Sequence, residues 1–300
     1  MDLWIPITIA AAFSQNLRFM LQKHLKATGL STGGATFARF LFAAPLAAGL
    51  LLALGLANGW AVPQVSGRFF MFAAFGGIAQ ILGTMLVVAL FSQRNFAVGI
   101  TFKKTETIQT AMIGAIVLGE GIAGYGMFAI VIGLVGVVLL SDPPEQVGGW
   151  QRYFNKAAGI GLASGALFGV SAIGYRGAAL SLGEGHFLLR SVFTLMCVTT
   201  FQTVIMAIWL ALREAGEIGK VIRHWRVTAL VGLTGMIGSL GWFTAFTLQN
   251  AAYVKALGQV ELIFSFLASY FIFKERSTPR EILGILMVVL SIVVLVLFLK

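Results

Sequence analysis

Residues 95–120 read NFAVGITFKKTETIQTAMIGAIVLGE, and residues 250–275 read NAAYVKALGQVELIFSFLASYFIFKE. A single offset of 155 residues lays Asn95 on Asn250, Glu106 on Glu261 and Glu120 on Glu275. The outer matches fall at the ends of apolar stretches; the middle one does not. Glu106 and Glu261 each lie within a run long enough to cross a bilayer, which takes ~20 residues. A lone carboxylate at that depth costs ~2.5–3.5 kcal/mol on insertion scales. A cost incurred twice at matching places points to use.

The surrounding chain supports a membrane setting. Of its 300 residues, 58% are hydrophobic and 11% charged, against about 25% charged in a soluble domain. The net charge of +10 therefore does not point to nucleic acid, because Lys and Arg of membrane proteins gather in loops. Cys197 is the single cysteine, so there is no disulfide framework. The first apolar run carries Gln15, Asn16 and Arg18, unlike the uniformly apolar core of a signal peptide.

Apolar runs bounded by polar breaks predict ten helices, over about 4–23, 33–54, 69–91, 97–118, 122–140, 157–179, 187–211, 227–247, 254–273 and 279–299. The mid-chain break SDPPE at 141–145 divides them into five and five, residues 1–144 and 145–300. Phe13 matches Phe168 at the same offset, and Arg39 matches Arg190 at 151. Five helices per copy is an odd number, so the second copy enters the membrane from the opposite side. The expected fold is an all-α membrane protein: ten transmembrane helices as two inverted five-helix repeats around a central cavity, a common build of secondary transporters. Counting loop charges puts the termini outside the cytoplasm. Gly161, Gly165 and Gly169, and Gly232, Gly235, Gly238 and Gly241, form smooth stripes that suit close helix packing or sliding.

The candidate site follows from the polar residues that lipid would reject. Lys103, Glu106 and Thr110 share one helical face, as do Gly258, Glu261 and Ser265. These carboxylates could bind a substrate ammonium group or a proton, or form a buried ion pair. Arg39 and Arg190 are each the single charge of a long apolar helix, and guanidinium does not deprotonate usefully. Their simplest partners are the two glutamates; snorkelling to a headgroup is the alternative. Gln15 and Asn16 belong to a polar cluster on the first helix, expected to line a cavity. Trp242 and Tyr175 are further lining candidates. Asn95 and Asn250 suit helix N-caps. The chain has no phosphate-binding GxxxxGK[ST] loop, no HExxH and no GxSxG elbow, so no ATPase motor and no enzyme is expected, and no cofactor.

Ten helices in two inverted halves, with LGE at 118–120 and FKE at 273–275 before the last helix of each half, resemble the drug/metabolite transporter superfamily, in particular its EamA-type exporters. That resemblance implies a basket of helices around a central cavity and export of amino acids, other metabolites or drugs. It also implies cytoplasmic termini, against the charge count. Many relatives have a proline near the places of Glu106 and Glu261; here those places are acidic. The expected function is a secondary transporter of the cell inner membrane, moving small-molecule substrates, amino acids first, by alternating access. Protons are the candidate coupling ion and the lipid bilayer is the other partner. The rival readings are an uncoupled facilitator or pore, an accessory membrane subunit, and a membrane-embedded enzyme on lipid-linked substrates.

Overall fold

Every element of the computed structural model, which describes residues 2–90, 102–140, 156–264 and 279–298, is helical. The helices are α1 (Trp4–Ala27), α2 (Thr32–Leu41), α3 (Ala43–Asn58), α4 (Gly67–Leu90), α5 (Glu106–Leu118), α6 (Gly124–Leu140), α7 (Lys156–Ser181), α8 (Phe187–Arg213), α9 (Glu217–Arg223), α10 (Trp225–Leu248), α11 (Ala251–Leu257) and α12 (Pro279–Phe298). Asn95, Glu275, Ser265, the mid-chain break at 141–145, and the expected helical stretches 97–101 and 265–273 lie outside the described residues.

Among the described residues, five spans are long and apolar enough to cross a membrane: Thr32–Asn58, Gly67–Leu90, Lys156–Ser181, Phe187–Arg213 and Trp225–Leu248. Helices α5, α6 and α12 are apolar but shorter. Large apolar side chains point outward along these elements. Phe75 is 67% exposed and Ile116 81% exposed, a pattern suited to lipid and unfavourable in water.

The helix expected over 33–54 breaks at Phe42. Pro45 explains it: it has no N–H to donate to the Leu41 carbonyl, and its ring crowds that carbonyl. The polar stretch at 212–226, read as a connection, contains the short helix α9. Ser31 caps α2 through the Gly34 N–H at 2.8 Å, and Asn250 caps α11 through the Ala252 N–H at 2.9 Å, as its sequence position suggested.

The most extensive helix contacts are α4 on α7, α6 on α12 and α1 on α10. Small residues set the spacing in two of them. A Cβ on Gly174 of α7 would sit 2.7 Å from the Gly76 Cα of α4. Along α10, the sites of Gly235, Gly238 and Gly241 face Arg18, Gln15 and Ala11 in turn. Numbers rise on one helix as they fall on the other, so α10 runs antiparallel to α1. The α10 stripe therefore acts as a packing seam, and on α7 Gly165 and Gly169 pack against Glu106 and Thr110 of α5.

Candidate functional site

Two interrupted helices build the centre. Phe102 and Lys103 are helical, Lys104 and Thr105 form a turn, and α5 restarts at Glu106. The Thr105 hydroxyl donates to the Phe102 carbonyl at 2.7 Å, the kind of local bond that competes with helix continuation. In the second half α11 stops at Leu257, Gly258 and Gln259 form a turn, and helix resumes at Val260. Gly258 is required for a close approach: a Cβ there would lie 2.5 Å from the Trp242 ring. The first interruption forms with no proline near Glu106. Its causes are a threonine bond and the charged pairs described next.

Each glutamate is held by a lysine from the other interrupted helix. Glu106, 4% exposed, lies 3.1 Å from Lys103 Nζ and 3.4 Å from Lys255 Nζ. Glu261 pairs with Lys104 and accepts from the Gln15 amide at 3.5 Å. Gln259 Nε2 also donates to the Thr107 hydroxyl at 3.1 Å. The two turns are thus crosslinked by two ion pairs and a hydrogen bond. In a low-dielectric interior, removing one member of such a pair strands its partner.

Beside this crossing lies a small chamber walled by aromatic rings. Its lining includes Gln15, Phe168, Tyr175, Ser239, Trp242 and Lys255. The Lys255 ammonium lies 4.8 Å from the Trp242 ring centre, 5.7 Å from Phe246 and 5.8 Å from Phe168, a cation–π environment. Tyr175 donates to Gln80 Oε1 at 2.9 Å and stacks on Phe243 with centroids 4.1 Å apart. The Trp242 indole N–H is buried and has no hydrogen-bond partner. The free space is about 20 Å³, room for about one water molecule. A larger apolar groove of about 480 Å³, lined by Leu52, Leu56, Val62, Phe193 and Met196 among others, lies between α3 and α8. It offers few polar groups with which to orient a polar cargo, so the chamber is the better candidate.

Arg39 and Arg18 stand behind the chamber wall. Arg39 is 4% exposed and Arg18 2%, so neither snorkels. Their stems meet at Gly235, where an added Cβ would be 3.2 Å from each. Arg39 donates to Thr84 Oγ1 at 3.1 Å and to Ser239 Oγ at 3.2 Å. Arg18 donates to Gln22 Oε1 at 2.7 Å, and its Nη2 is buried without a hydrogen-bond partner. The expected arginine–glutamate pairs are not formed. Lysines occupy the carboxylates, and the arginines turn to neutral acceptors. Arg190 sits apart, in the first turn of α8, donating to the Gly183 carbonyl at 3.1 Å. Asn16 is half-buried and is not part of the chamber lining.

Both ends of the bundle are tied. Arg176 of α7 meets Glu120 just past α5 at 2.6 Å and donates to the carbonyls of Phe246 and Gln249 at the end of α10. At the opposite end Ser31 donates to Glu217 and Glu214, and Lys220 lies 2.9 Å from Glu217. Burial pushes the Glu217 carboxyl up, but the Ser31 and Lys220 hydrogen bonds outweigh it and hold it below the usual 4.5.

Two central cations carry no site signal in the sequence. Lys255 lies at the edge of an apolar run, and a seven-residue helix that re-enters the bundle leaves no hydropathy signal. Lys104 is one residue outside the Lys103–Glu106 face of a straight helix, and the turn swings it toward Glu261. Arg18 belongs to the first-helix polar cluster.

Residues 157–297 match the EamA-like transporter family. A solved structure titled "Crystal structure of protein" aligns with a TM-score of 0.64 over 96% of this chain and 98% of that one, at 15% identity. At that identity the likeness speaks for the fold. No curated protein matches the chain significantly.

Proposed function

Because residues 157–297 match the EamA-like transporter family, we propose that the chain is a membrane transporter, a secondary carrier working by alternating access. The carrying observation is the meeting of two interrupted helices whose carboxylates and lysines are exchanged across the crossing. Broken helices at the interface of two repeats are the usual site architecture of such carriers.

The ten-helix inverted repeat is part of this reading. Counting α2 with α3 and leaving out the short α9, the first helix packs on the eighth and the third on the sixth. A two-fold exchange of halves turns each of these contacts into the other, which supports the repeat and its division at 144/145. The small chamber between two tied ends supports a shape closed to both sides. Alternation would then break the Arg176–Glu120 tie and the Ser31–Glu217 tie in turn. The inner membrane, export and a small-metabolite cargo, with amino acids among the candidates, come from the family resemblance, and proton coupling through Glu106 and Glu261 from their position.

The test is flux through the purified chain in proteoliposomes. A carrier gives saturable flux and counterflow, whereas a pore gives flux linear in concentration. Coupling to protons predicts that an imposed pH gradient drives accumulation. Glu106→Gln and Glu261→Gln that both carry like the parent would remove the glutamates from the mechanism.

A further inference from the structure

The two interior carboxylates, Glu106 and Glu261, are already held by Lys103, Lys104 and Lys255. Three ammonium groups thus face two carboxylates before the arginines are counted. Arg18 and Arg39 then add two buried guanidinium groups, whose partners among the described residues are Gln22, Thr84, Ser239 and aromatic rings, all neutral. Unlike lysine, arginine cannot shed its charge by losing a proton. An isolated buried ion costs several kcal/mol even after the protein relaxes around it. Two such ions meeting at one glycine are therefore a standing cost that the fold alone does not offset.

The chamber supplies the other half of the inference. Ser239 lines it and receives Arg39 from behind, and Gln15 lines it one turn of α1 before Arg18. Trp242 offers a buried N–H with no partner, and Arg18 keeps a guanidinium nitrogen in the same condition. Both of these unmet groups are donors, one of them charged; the nearby Gln202, which donates to Tyr175, keeps an unmet acceptor in its Oε1. Most of the remaining wall is rings, Phe168, Tyr175, Trp242, Phe243 and Phe246, with Gln80 and Ser171 between them.

Resting on the carrier reading above, we propose that the cargo is a small organic anion, a carboxylate or phosphate on a ring-bearing apolar body. Its charge is met from the Arg39–Ser239 side, and its body lies among the rings. Among the described residues, a cationic amine finds no uncommitted carboxylate at the chamber. A zwitterionic amino acid gains at its carboxylate and loses at its ammonium. The chamber must widen to admit any of them, and the arginine charge favours the widened form only when an anion enters.

Four probes that share a phenyl ring separate these cases: phenylpyruvate, phenyl phosphate, phenylalanine and phenethylamine. Thermal shift of the purified parent chain reads binding, since a ligand of the folded state raises its midpoint. Counterflow in proteoliposomes reads transport. At least one anion should bind ten-fold or more tighter than phenylalanine, with phenethylamine silent; which anion wins separates carboxylate from phosphate. R39Q should lose at least ten-fold in anion affinity, and R39K should recover part of it. The ranking is made on the parent chain, so a variant that fails to fold does not decide the matter. Equal or tighter binding of phenylalanine or phenethylamine overturns the anion assignment, as does binding of none of the four. Saturable counterflow of phenylalanine alone would do so while leaving the carrier intact, and linear flux of every probe would remove the carrier reading instead.

Discussion

Glu106 and Arg18 are buried to nearly the same degree, yet their surroundings are opposite. The carboxylate has lysines at 3.1 and 3.4 Å, one of them from the other interrupted helix. The guanidinium has a glutamine and an unmatched nitrogen. A charge with a charged partner ties structure together and costs little once paired. A charge with neutral partners costs stability and is available to a ligand. The contrast separates residues that hold the crossing from those that wait for a cargo, and the two sets should respond differently to substitution.

The largest difference should come from Glu106→Gln. It leaves Lys103 and Lys255 buried without their counter-charge, and breaking a buried pair this way costs ~3–5 kcal/mol. Thermal unfolding in detergent should show a large drop, with Lys255→Met on top of it restoring part of the loss. A drop no larger than that of a surface change would mean the crossing is not held by this pair. Glu261→Gln should cost less, ~1–3 kcal/mol. Its side chain is 15% exposed against 6% for Glu106, so water already screens part of its pairing with Lys104.

Arg18→Met is expected to move stability the other way. Replacing a poorly compensated buried charge with an apolar group of similar length is neutral or favourable, here by ~1 kcal/mol. The same variant should lose anion binding. A clear fall in midpoint would show that Arg18 holds the bundle together, and would erase the distinction between the two clusters.

The sequence displayed one side of this contrast and hid the other. The repeat offset exposed Glu106 and Glu261, because two carboxylates in apolar runs stand out whatever the fold. Trp242 and Tyr175 were legible as lining because large polar-tipped rings inside a span need an interior to face. The partners of the glutamates were not legible. Pairing depends on where each helix turns, and the turns at Lys104 and Gly258 arise from tertiary contacts, among them the Trp242 ring against Gly258. A straight helix would have sent Lys104 elsewhere and kept Lys255 near an end, which is how both escaped notice. The interruption at Phe42 was there to be read from Pro45.

The smallest effect belongs to the tie at the Ser31 end, and it tests whether a charge satisfied by the fold behaves like Glu106 without a bilayer around it. Glu217 is held below its usual pKa by Ser31 and Lys220, against the opposing push of burial. A carboxylate depressed in the folded state contributes its stability fully above the unfolded value of about 4.5, and loses it as pH falls through the lower folded value. The midpoint of unfolding should therefore decline as pH drops below about 4.5, by ~1 kcal/mol for this group. Glu217→Gln should be less stable at neutral pH by a similar amount and should flatten that part of the decline. Glu217 belongs to an end tie that alternation would have to open, so the weakened tie should also speed counterflow. A variant that loses stability with no change in flux would place Glu217 in the packing of α9 and outside the transport cycle.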